Sequence, residues 1–119
     1  MIAPLRIGTR GSPLALWQAN YIADRLRPLA APRHVELIRI ETIGDMVRDR
    51  ALSQIGGDGL FTKEIQLALL ADSADVAVHS LKDLPTTHVE GLTLAAVPPR
   101  GPTGDAFVSR KLERWHAIR

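Results

Sequence analysis

Two short charged stretches carry side chains that could take part in chemistry. In the first, Lys82 and Asp83 closely follow an apolar run that ends at His79. Functional side chains in open α/β sheets lie just past the carboxyl ends of strands, and a carboxylate there can stabilise positive charge developing on a substrate. The alternative is a surface turn that carries opposite charges, and spacing alone does not separate the two. His79 itself is expected to be buried and hydrogen-bonded.

The second stretch is Arg10-Gly11-Ser12-Pro13, between a predicted strand and a predicted helix. The guanidinium of Arg10, free backbone N–H groups and the positive end of the helix could together bind an anion. The plainer interpretation, which spacing alone favours, is that Ser12 caps the helix and Arg10 is solvated. The patterns GxxxxGK[ST] and GxGxxG are both absent, which argues against a P-loop and a dinucleotide site.

A third set of polar residues falls in a predicted glycine-bearing loop over residues 43–59. Asp45 and Asp49 are four residues apart in this loop and are expected to be solvated. The segment Gly56-Gly57-Asp58-Gly59 resembles a phosphate cradle only superficially, because the Asp58 carboxylate would repel an anion. A long loop of this kind in a small domain is typically functional or mobile.

Composition narrows the possible functions. The chain has 119 residues, the length of one domain, and it contains no cysteine, which excludes disulfides and thiolate chemistry within it. Its four histidines show no metal-ligand spacing, so no metal site is predicted. No apolar run approaches the roughly 20 residues of a membrane span, and the first residues lack the apolar region of a signal peptide. A cytoplasmic protein without membrane contact is therefore expected.

Charge bears on the choice of partner. A formal charge of +2 and a pI of about 9.5 raise the question of nucleic-acid binding. However, the basic residues are scattered, and two Trp, one Tyr and two Phe are too few for a stacking platform. Twelve of the fifteen basic residues are Arg, which suits bidentate recognition of carboxylates. We expect small anions rather than nucleic acid as partners.

Hydrophobic periodicity predicts the elements that must position these side chains. Strands are predicted over residues 5–9, 34–42, 74–79 and 92–97, with a candidate fifth over 106–109, and helices over 13–29 and 63–71. The inward-facing residues of the first helix are predicted to be Ala15, Ala19, Ile22, Leu26 and Leu29. The alternation of strands and helices predicts an α/β domain with a largely parallel sheet. Residues 112–119 read as a helix without a terminator, so the chain is expected to be truncated.

Four motifs, in this order, resemble the hydroxymethylbilane synthase, or porphobilinogen deaminase, family. They are LRIGTRGSPLALWQ at residues 5–18, TIGD at 42–45, GGDGLFTKE at 56–64 and AVHSLKDLP at 77–85. The similarity covers nearly the whole chain. It implies a periplasmic-binding-protein-like (type II) α/β domain over residues 1–100, the first of three domains in the family, with residues 101–119 starting the crossover into a missing second domain.

The resemblance also implies an activity. The family joins four porphobilinogens into the linear tetrapyrrole hydroxymethylbilane, releasing ammonia each time, on a dipyrromethane cofactor. The implied partners are porphobilinogen and oligopyrrole intermediates, and the implied protein is a monomer. An arginine cluster in the second domain and the cofactor-bearing cysteine of the third domain lie outside this chain, so the chain alone is expected to be inactive.

Individual roles carry over at matching positions. Asp83 corresponds to the catalytic aspartate, which holds pyrrole N–H groups and stabilises the cationic azafulvene. Residues expected to bind the cofactor and substrate are Arg10, Ser12, Gln18 and Lys82. Of these, Arg10, Ser12 and Lys82 would contact the acetate and propionate groups. The mobile active-site loop would include Asp45, Gly56, Gly57 and Asp58. Two departures stand out: Asp58 replaces a lysine of the family, and residues 100–106 carry a reduced version of its Arg-Glu-Asp-x-Arg-Asp-Ala pattern.

Two other classes of function stay open at this point. One is a non-catalytic domain that binds small anions on the same scaffold. The other is a basic nucleic-acid-binding module, which would require steep salt dependence of binding.

Overall fold

A small parallel sheet organises the chain. The computed structural model describes residues 2–47 and 59–104 and the single positions 106, 108 and 110. Within them the strands are β1 (Leu5–Thr9), β2 (Val35–Arg39) and β3 (Val76–Ala77), hydrogen-bonded in the order β2–β1–β3 and all parallel. The helices are α1 (Pro13–Ala30), α2 (Ile43–Met46) and α3 (Lys63–Leu70), and a 3-10 helix spans Leu81–Asp83. The predicted α/β class with a mainly parallel sheet is confirmed.

The core forms where α1 packs on β1. Ile7 points from the central strand towards Ala19 and Ala23 of α1, and all three side chains are fully buried. Alanine at both positions lets the helix axis approach the sheet closely, because no longer side chain separates the two layers. Half-buried side chains complete this cluster: Leu26, Val35, Leu37 and Val78.

The start of α1 agrees with the prediction made from the sequence, whereas the burial of its last turn does not. Ser12 is the N-cap, and its Oγ accepts a hydrogen bond from the Ala15 N–H at 3.3 Å. The prediction that Leu29 faces inward is wrong, because its side chain is 81% exposed. An 18-residue helix is about 27 Å long, whereas five-residue strands span about 17 Å. The last turn of α1 therefore extends beyond the sheet.

The second predicted helix is confirmed as α3. The apolar spacing of this helix predicts that Ile65, Ala68 and Leu69 face inward; Ile65 is fully buried and the other two are half-buried, in agreement with that prediction. Thr62 occupies the N-cap position, but its hydroxyl makes no capping hydrogen bond.

The predicted fourth strand over residues 92–97 is wrong. These residues form no strand, and all but Leu92 are exposed. A strand requires a partner for its backbone groups, and within the described residues none pairs with this segment. The predicted strand over 74–79 reduces to Val76–Ala77, although the N–H groups of Asp75 and Val78 also donate to carbonyls of β1.

Three predictions fall wholly or partly outside the described residues. They concern residues 48–58 of the long loop, the helix start over 112–119, and the candidate strand over 106–109. In the last of these only Ala106 and Val108 are described, and neither is in a strand. At its other end the predicted loop over 43–59 is corrected, because Ile43–Met46 form α2.

An ion-pair cluster fastens the amino-terminal end of β1 to the start of β3. Asp75 accepts hydrogen bonds from the Arg6 backbone N–H at 2.8 Å and from its guanidinium at 3.0 and 3.2 Å. Arg33 approaches the same carboxylate at 3.9 Å. The hydrogen bonds from Arg6 hold the pKa of Asp75 below its ordinary value of 3.8.

Because of this ion-pair cluster, the free energy of unfolding should depend on pH in the acidic range. A carboxyl whose pKa is lowered by folding contributes stability above its unfolded pKa and loses that contribution as the pH falls through its folded pKa. Stability should therefore decline below about pH 4, and Asp75→Asn should flatten part of the decline. Urea unfolding between pH 6 and pH 3 measures this. Asp24→Asn is the control, because the ion pair that Asp24 makes among the described residues is a local one, with Arg27 in α1. An unchanged acid slope in Asp75→Asn would contradict the assignment.

Candidate active site

The carboxyl ends of β1 and β3 bring Arg10 and Asp83 together. Arg10 directly follows β1, and Asp83 ends the 3-10 helix that follows β3. The Arg10 Nη1 donates to Asp83 Oδ2 at 3.4 Å. Their side chains are only 18% and 13% exposed, so the surface-turn interpretation is wrong for Asp83, and Arg10 is not solvated. An ion pair therefore lies just past the carboxyl ends of the strands, where α/β proteins usually have their active sites.

A second carboxylate binds Arg10 more extensively than Asp83 does. The Arg10 Nε donates to both oxygens of Asp45, at 3.0 and 3.2 Å, and its Nη2 also contacts Asp45 Oδ1. The expectation that Asp45 is solvated in a loop is wrong: it lies in α2 and is 20% exposed. This bidentate pairing fixes the plane of the guanidinium.

Thr42 in turn holds Asp45. The two residues form a capping box at the start of α2. The Thr42 Oγ1 donates to Asp45 Oδ2 at 2.8 Å and accepts from the Asp45 N–H at 3.3 Å. Thr42 is fully buried. The motif TIGD at 42–45 was among those that carry the family resemblance, and Asp45 was expected in the active-site loop, but the contact between Thr42 and Asp45 was not predicted.

An aromatic ring closes one face of the Arg10 guanidinium. Its Cζ lies 4.1 Å from the centroid of the Phe61 ring, a cation–π arrangement. The ring also covers Gly44 of α2, where any Cβ would overlap it. Sequence reasoning missed Phe61, because an isolated aromatic residue before a helix more often belongs to the core.

Hydrogen bonds between Arg10 and Asp45 favour the charged forms of both side chains. Burial acts to raise the pKa of Asp45, but hydrogen bonds from Arg10 and Thr42 outweigh it and the pKa is lowered. The hydrogen bond to Asp45 raises the pKa of Arg10. One guanidinium therefore stands between two carboxylates, and the formal charge of Arg10, Asp45 and Asp83 together is −1.

His79 also faces this region. It was expected to be buried and hydrogen-bonded, but it is only half-buried, and none of the hydrogen bonds among the described residues involves its ring. Burial lowers the pKa of its imidazole; the charge of Arg10 acts in the same direction, and that of Asp83 opposes it. His79 is therefore neutral at pH 7.

A small pocket opens beside Asp83, and we call it the Asp83 pocket. Its lining residues are Arg10, Ser12, Leu14, Ala15, Val78, His79, Ser80, Lys82 and Asp83. The predicted residues Arg10, Ser12, Lys82 and Asp83 thus meet at one place. Gln18 does not line it but accepts a hydrogen bond from the Ser80 hydroxyl at 2.9 Å. Gly56, Gly57 and Asp58 lie outside the described residues.

Two features of the described chain bear on other classes of function. Across residues 2–47 and 59–104, no helix combines the length and apolarity that a bilayer crossing needs. Over the same ranges, no three or more His, Asp or Glu side chains gather in a way that could hold a metal ion.

Comparison with known proteins decides the family. The family model described as "Porphobilinogen deaminase, dipyromethane cofactor binding domain" matches residues 5–119. This chain belongs to the porphobilinogen deaminase family. A porphobilinogen deaminase of Geobacter sulfurreducens is 51% identical over 105 residues, which are 88% of this chain and 33% of the relative. One from Stenotrophomonas maltophilia is 53% identical over 105 residues, 88% of this chain and 35% of the relative.

The chain spans about a third of the length of the curated porphobilinogen deaminases it matches. The Asp83 pocket lies within the stretch that the family model covers. As a porphobilinogen deaminase domain, the chain carries three of the four predicted motifs wholly within its described residues, at 5–18, 42–45 and 77–85. The motifs at 5–18 and 77–85 contribute residues that line this pocket.

Proposed function

We propose that this chain supplies the catalytic carboxylate of an enzyme that joins four porphobilinogens into hydroxymethylbilane with release of ammonia. The observation that carries the proposal is the position of Asp83, a largely buried carboxylate that lines the Asp83 pocket. Its ion-pair partner Arg10 is bound more extensively by Asp45, so Arg10 does not fully cancel the charge of Asp83. A carboxylate in this position attracts a cation that forms next to it.

The reaction needs such a carboxylate. When the C–N bond of the porphobilinogen aminomethyl group breaks, ammonia leaves with the electron pair and a cationic azafulvene forms. A carboxylate that faces this growing charge stabilises the transition state more than the ground state. Among the described residues, no group donates a hydrogen bond to Asp83 Oδ1. That oxygen is therefore available to pyrrole N–H groups.

Ligand carboxylates would be bound by other groups of the pocket. Lys82 is exposed and forms no ion pair within the described part of the chain. Together with Ser12 at the positive end of α1, it suits acetate and propionate groups. Arg10 has less capacity for them, because two protein carboxylates already bind it. Gln18 would act at the rim, through Ser80.

The pocket residues fit the non-covalent part of a dipyrromethane cofactor. Asp83 offers an acceptor for pyrrole nitrogens, and Lys82 offers a cation for the side-chain carboxylates. When bound, the cofactor supplies the primer to which porphobilinogen units are added. This chain contains no cysteine, so its attachment residue is not in this chain.

Four further statements are part of this proposal. They are a type II periplasmic-binding-protein-like fold, a first domain over residues 1–100 followed by a crossover over 101–119, a cytoplasmic location and a monomeric state. The parallel β2–β1–β3 order supports the first of them. A non-catalytic anion-binding role is less well supported, since carboxylates outnumber guanidinium groups around Arg10.

Porphobilinogen turnover tests the proposed function. The complete polypeptide that contains this stretch should convert porphobilinogen to hydroxymethylbilane, detected as uroporphyrin after cyclisation and oxidation. The 119-residue chain alone should give none, because the chain has no cysteine to carry the cofactor. Heat-treated protein is the control for spontaneous condensation. Uroporphyrin formation by the purified 119-residue chain would overturn the expectation for the isolated chain, and its absence with the complete polypeptide would overturn the proposed function.

A further inference from the structure

Among the hydrogen bonds of the described residues, those with Arg10 link Asp45 to the Asp83 pocket. Asp45 itself does not line the Asp83 pocket. Its carboxylate nevertheless receives the Nε hydrogen bonds of Arg10 at 3.0 and 3.2 Å, whereas Asp83 receives a single one at 3.4 Å. The stronger partner of the guanidinium is therefore the carboxylate that stands outside the pocket.

We propose that Asp45 is a positioning residue that neutralises Arg10 and so keeps the negative charge of Asp83 available in the pocket. The inference rests on the proposed function, because the charge matters only if a cation forms there. Without Asp45, Arg10 and Asp83 would form a closed ion pair with no net charge. With it, Arg10 is balanced by Asp45, and the carboxylate of Asp83 keeps negative charge that Arg10 does not cancel.

The surroundings of Asp45 are built to hold this arrangement. The capping box with buried Thr42 fixes its carboxylate through two side-chain hydrogen bonds, at 2.8 and 3.3 Å. Phe61 covers one face of the guanidinium at 4.1 Å. Arg10 is thus restrained in position and in plane, and it cannot rotate to bind Asp83 with both arms of its fork while those contacts persist.

Removing the charge of Asp45 should change the pocket in two opposite ways. Stabilisation of a cation should weaken, because Asp83 would then share its charge with an uncompensated guanidinium. Binding of ligand carboxylates should hold or improve, because Arg10 gains free donors. A residue that matters only for folding would reduce the amount of active enzyme and leave KM unchanged, without producing this split.

The kinetic test compares Asp45→Asn with wild type in the complete polypeptide. We expect kcat, normalised to the amount of folded protein, to fall by about tenfold, less than for a group that touches the reacting atoms, while KM for porphobilinogen stays the same or falls. Asp45→Glu retains the charge and should recover part of kcat. Asp75→Asn, which breaks an ion pair at the opposite end of β1, is the matched control and should leave both constants unchanged. An unchanged kcat in Asp45→Asn, or a kcat loss accompanied by a raised KM, would overturn the inference.

A second readout does not depend on turnover. The His79 ring can be titrated by NMR in the 119-residue chain; the charged groups facing it are Arg10 and Asp83, with Lys82 on the same pocket. In Asp45→Asn the pKa of His79 should fall below the wild-type value, because Arg10 loses its balancing charge. The Asp75→Asn value should match wild type.

The two readouts separate the two proposals. An inactive wild-type polypeptide in which the His79 titration still moves would refute the proposed function and leave the charge balance standing. An active wild type in which neither kcat nor the titration responds to Asp45→Asn would refute the charge balance alone. If Asp45→Asn fails to fold, Thr42→Val provides the test, because it keeps Asp45 but removes the hydroxyl group that binds it. In Thr42→Val, kcat and the pKa of His79 should change in the direction expected for Asp45→Asn, but by a smaller amount. No movement in Thr42→Val would then overturn the inference.

Discussion

Asp83→Asn should reduce tetrapyrrole formation by the complete polypeptide roughly 10²- to 10³-fold, to near background. Asparagine keeps the shape of the side chain and an acceptor oxygen, but it removes the negative charge that faces the forming azafulvene. The fold should be unaffected, because Arg10 keeps its bidentate partner Asp45. Uroporphyrin formation measures the first effect and urea unfolding the second.

Two companion variants sharpen this result. Asp83→Glu retains the charge but moves it by one methylene, so its activity should fall between those of Asp83→Asn and wild type. Asp75→Asn removes another ion-paired carboxylate, from the other end of the sheet, and should retain full turnover. Uroporphyrin formation by Asp83→Asn at close to the wild-type rate would contradict the proposed role of this carboxylate.

Arg10→Met should have the largest effect on stability among the site substitutions, a loss of about 2 kcal/mol in the free energy of unfolding. The change leaves Asp45 and Asp83 facing each other in a partly buried place without the cation that both bind. Methionine keeps much of the apolar contact with Phe61, so the loss reports on charge rather than on packing. Chemical denaturation of the 119-residue chain measures it.

Two further arginine substitutions, Arg10→Lys and Arg39→Met, should destabilise the chain less than Arg10→Met does. Arg10→Lys keeps the charge but loses the planar fork, so its deficit should be about half that of Arg10→Met. Arg39→Met, at an exposed position whose guanidinium makes only a 3.4 Å contact with the Gly11 carbonyl, should cost little. Equal stability of Arg10→Met and wild type would show that the two carboxylates do not depend on Arg10.

Local sequence features predicted the elements that depend on local interactions. The cap at Ser12 and the apolar spacing of α1 were sufficient to place that helix to within one residue of its end. The strand over 92–97 could not be judged in the same way, because a strand depends on a partner elsewhere in the chain. Its apolar residues gave the right pattern, yet within the described residues no pairing partner is present.

The same distinction applies to the site. Arg10 and Asp83 were candidates because each follows a strand of the sheet, and parallel strands place such residues at one edge. Spacing alone did not decide between a site and solvated side chains, and their roles were assigned by the resemblance to the family. The pairing of Asp45 with Arg10 could not, because it joins residues 35 positions apart and α2 has too few apolar residues to be recognised by periodicity. The roles of Arg10, Ser12, Gln18, Lys82 and Asp83 towards ligands stay predictions.

The contacts of Arg10 also have a consequence for how the domain folds. Its two carboxylate partners are 35 and 73 residues away along the chain. Closing loops of this size carries an entropic cost that must be met before any contact forms, and non-local contacts of this kind slow folding. The carboxylate pair around Arg10 should therefore assemble late, after β1 has acquired a neighbour on each side. During synthesis, this charge arrangement cannot exist until the ribosome has released the chain beyond Asp83.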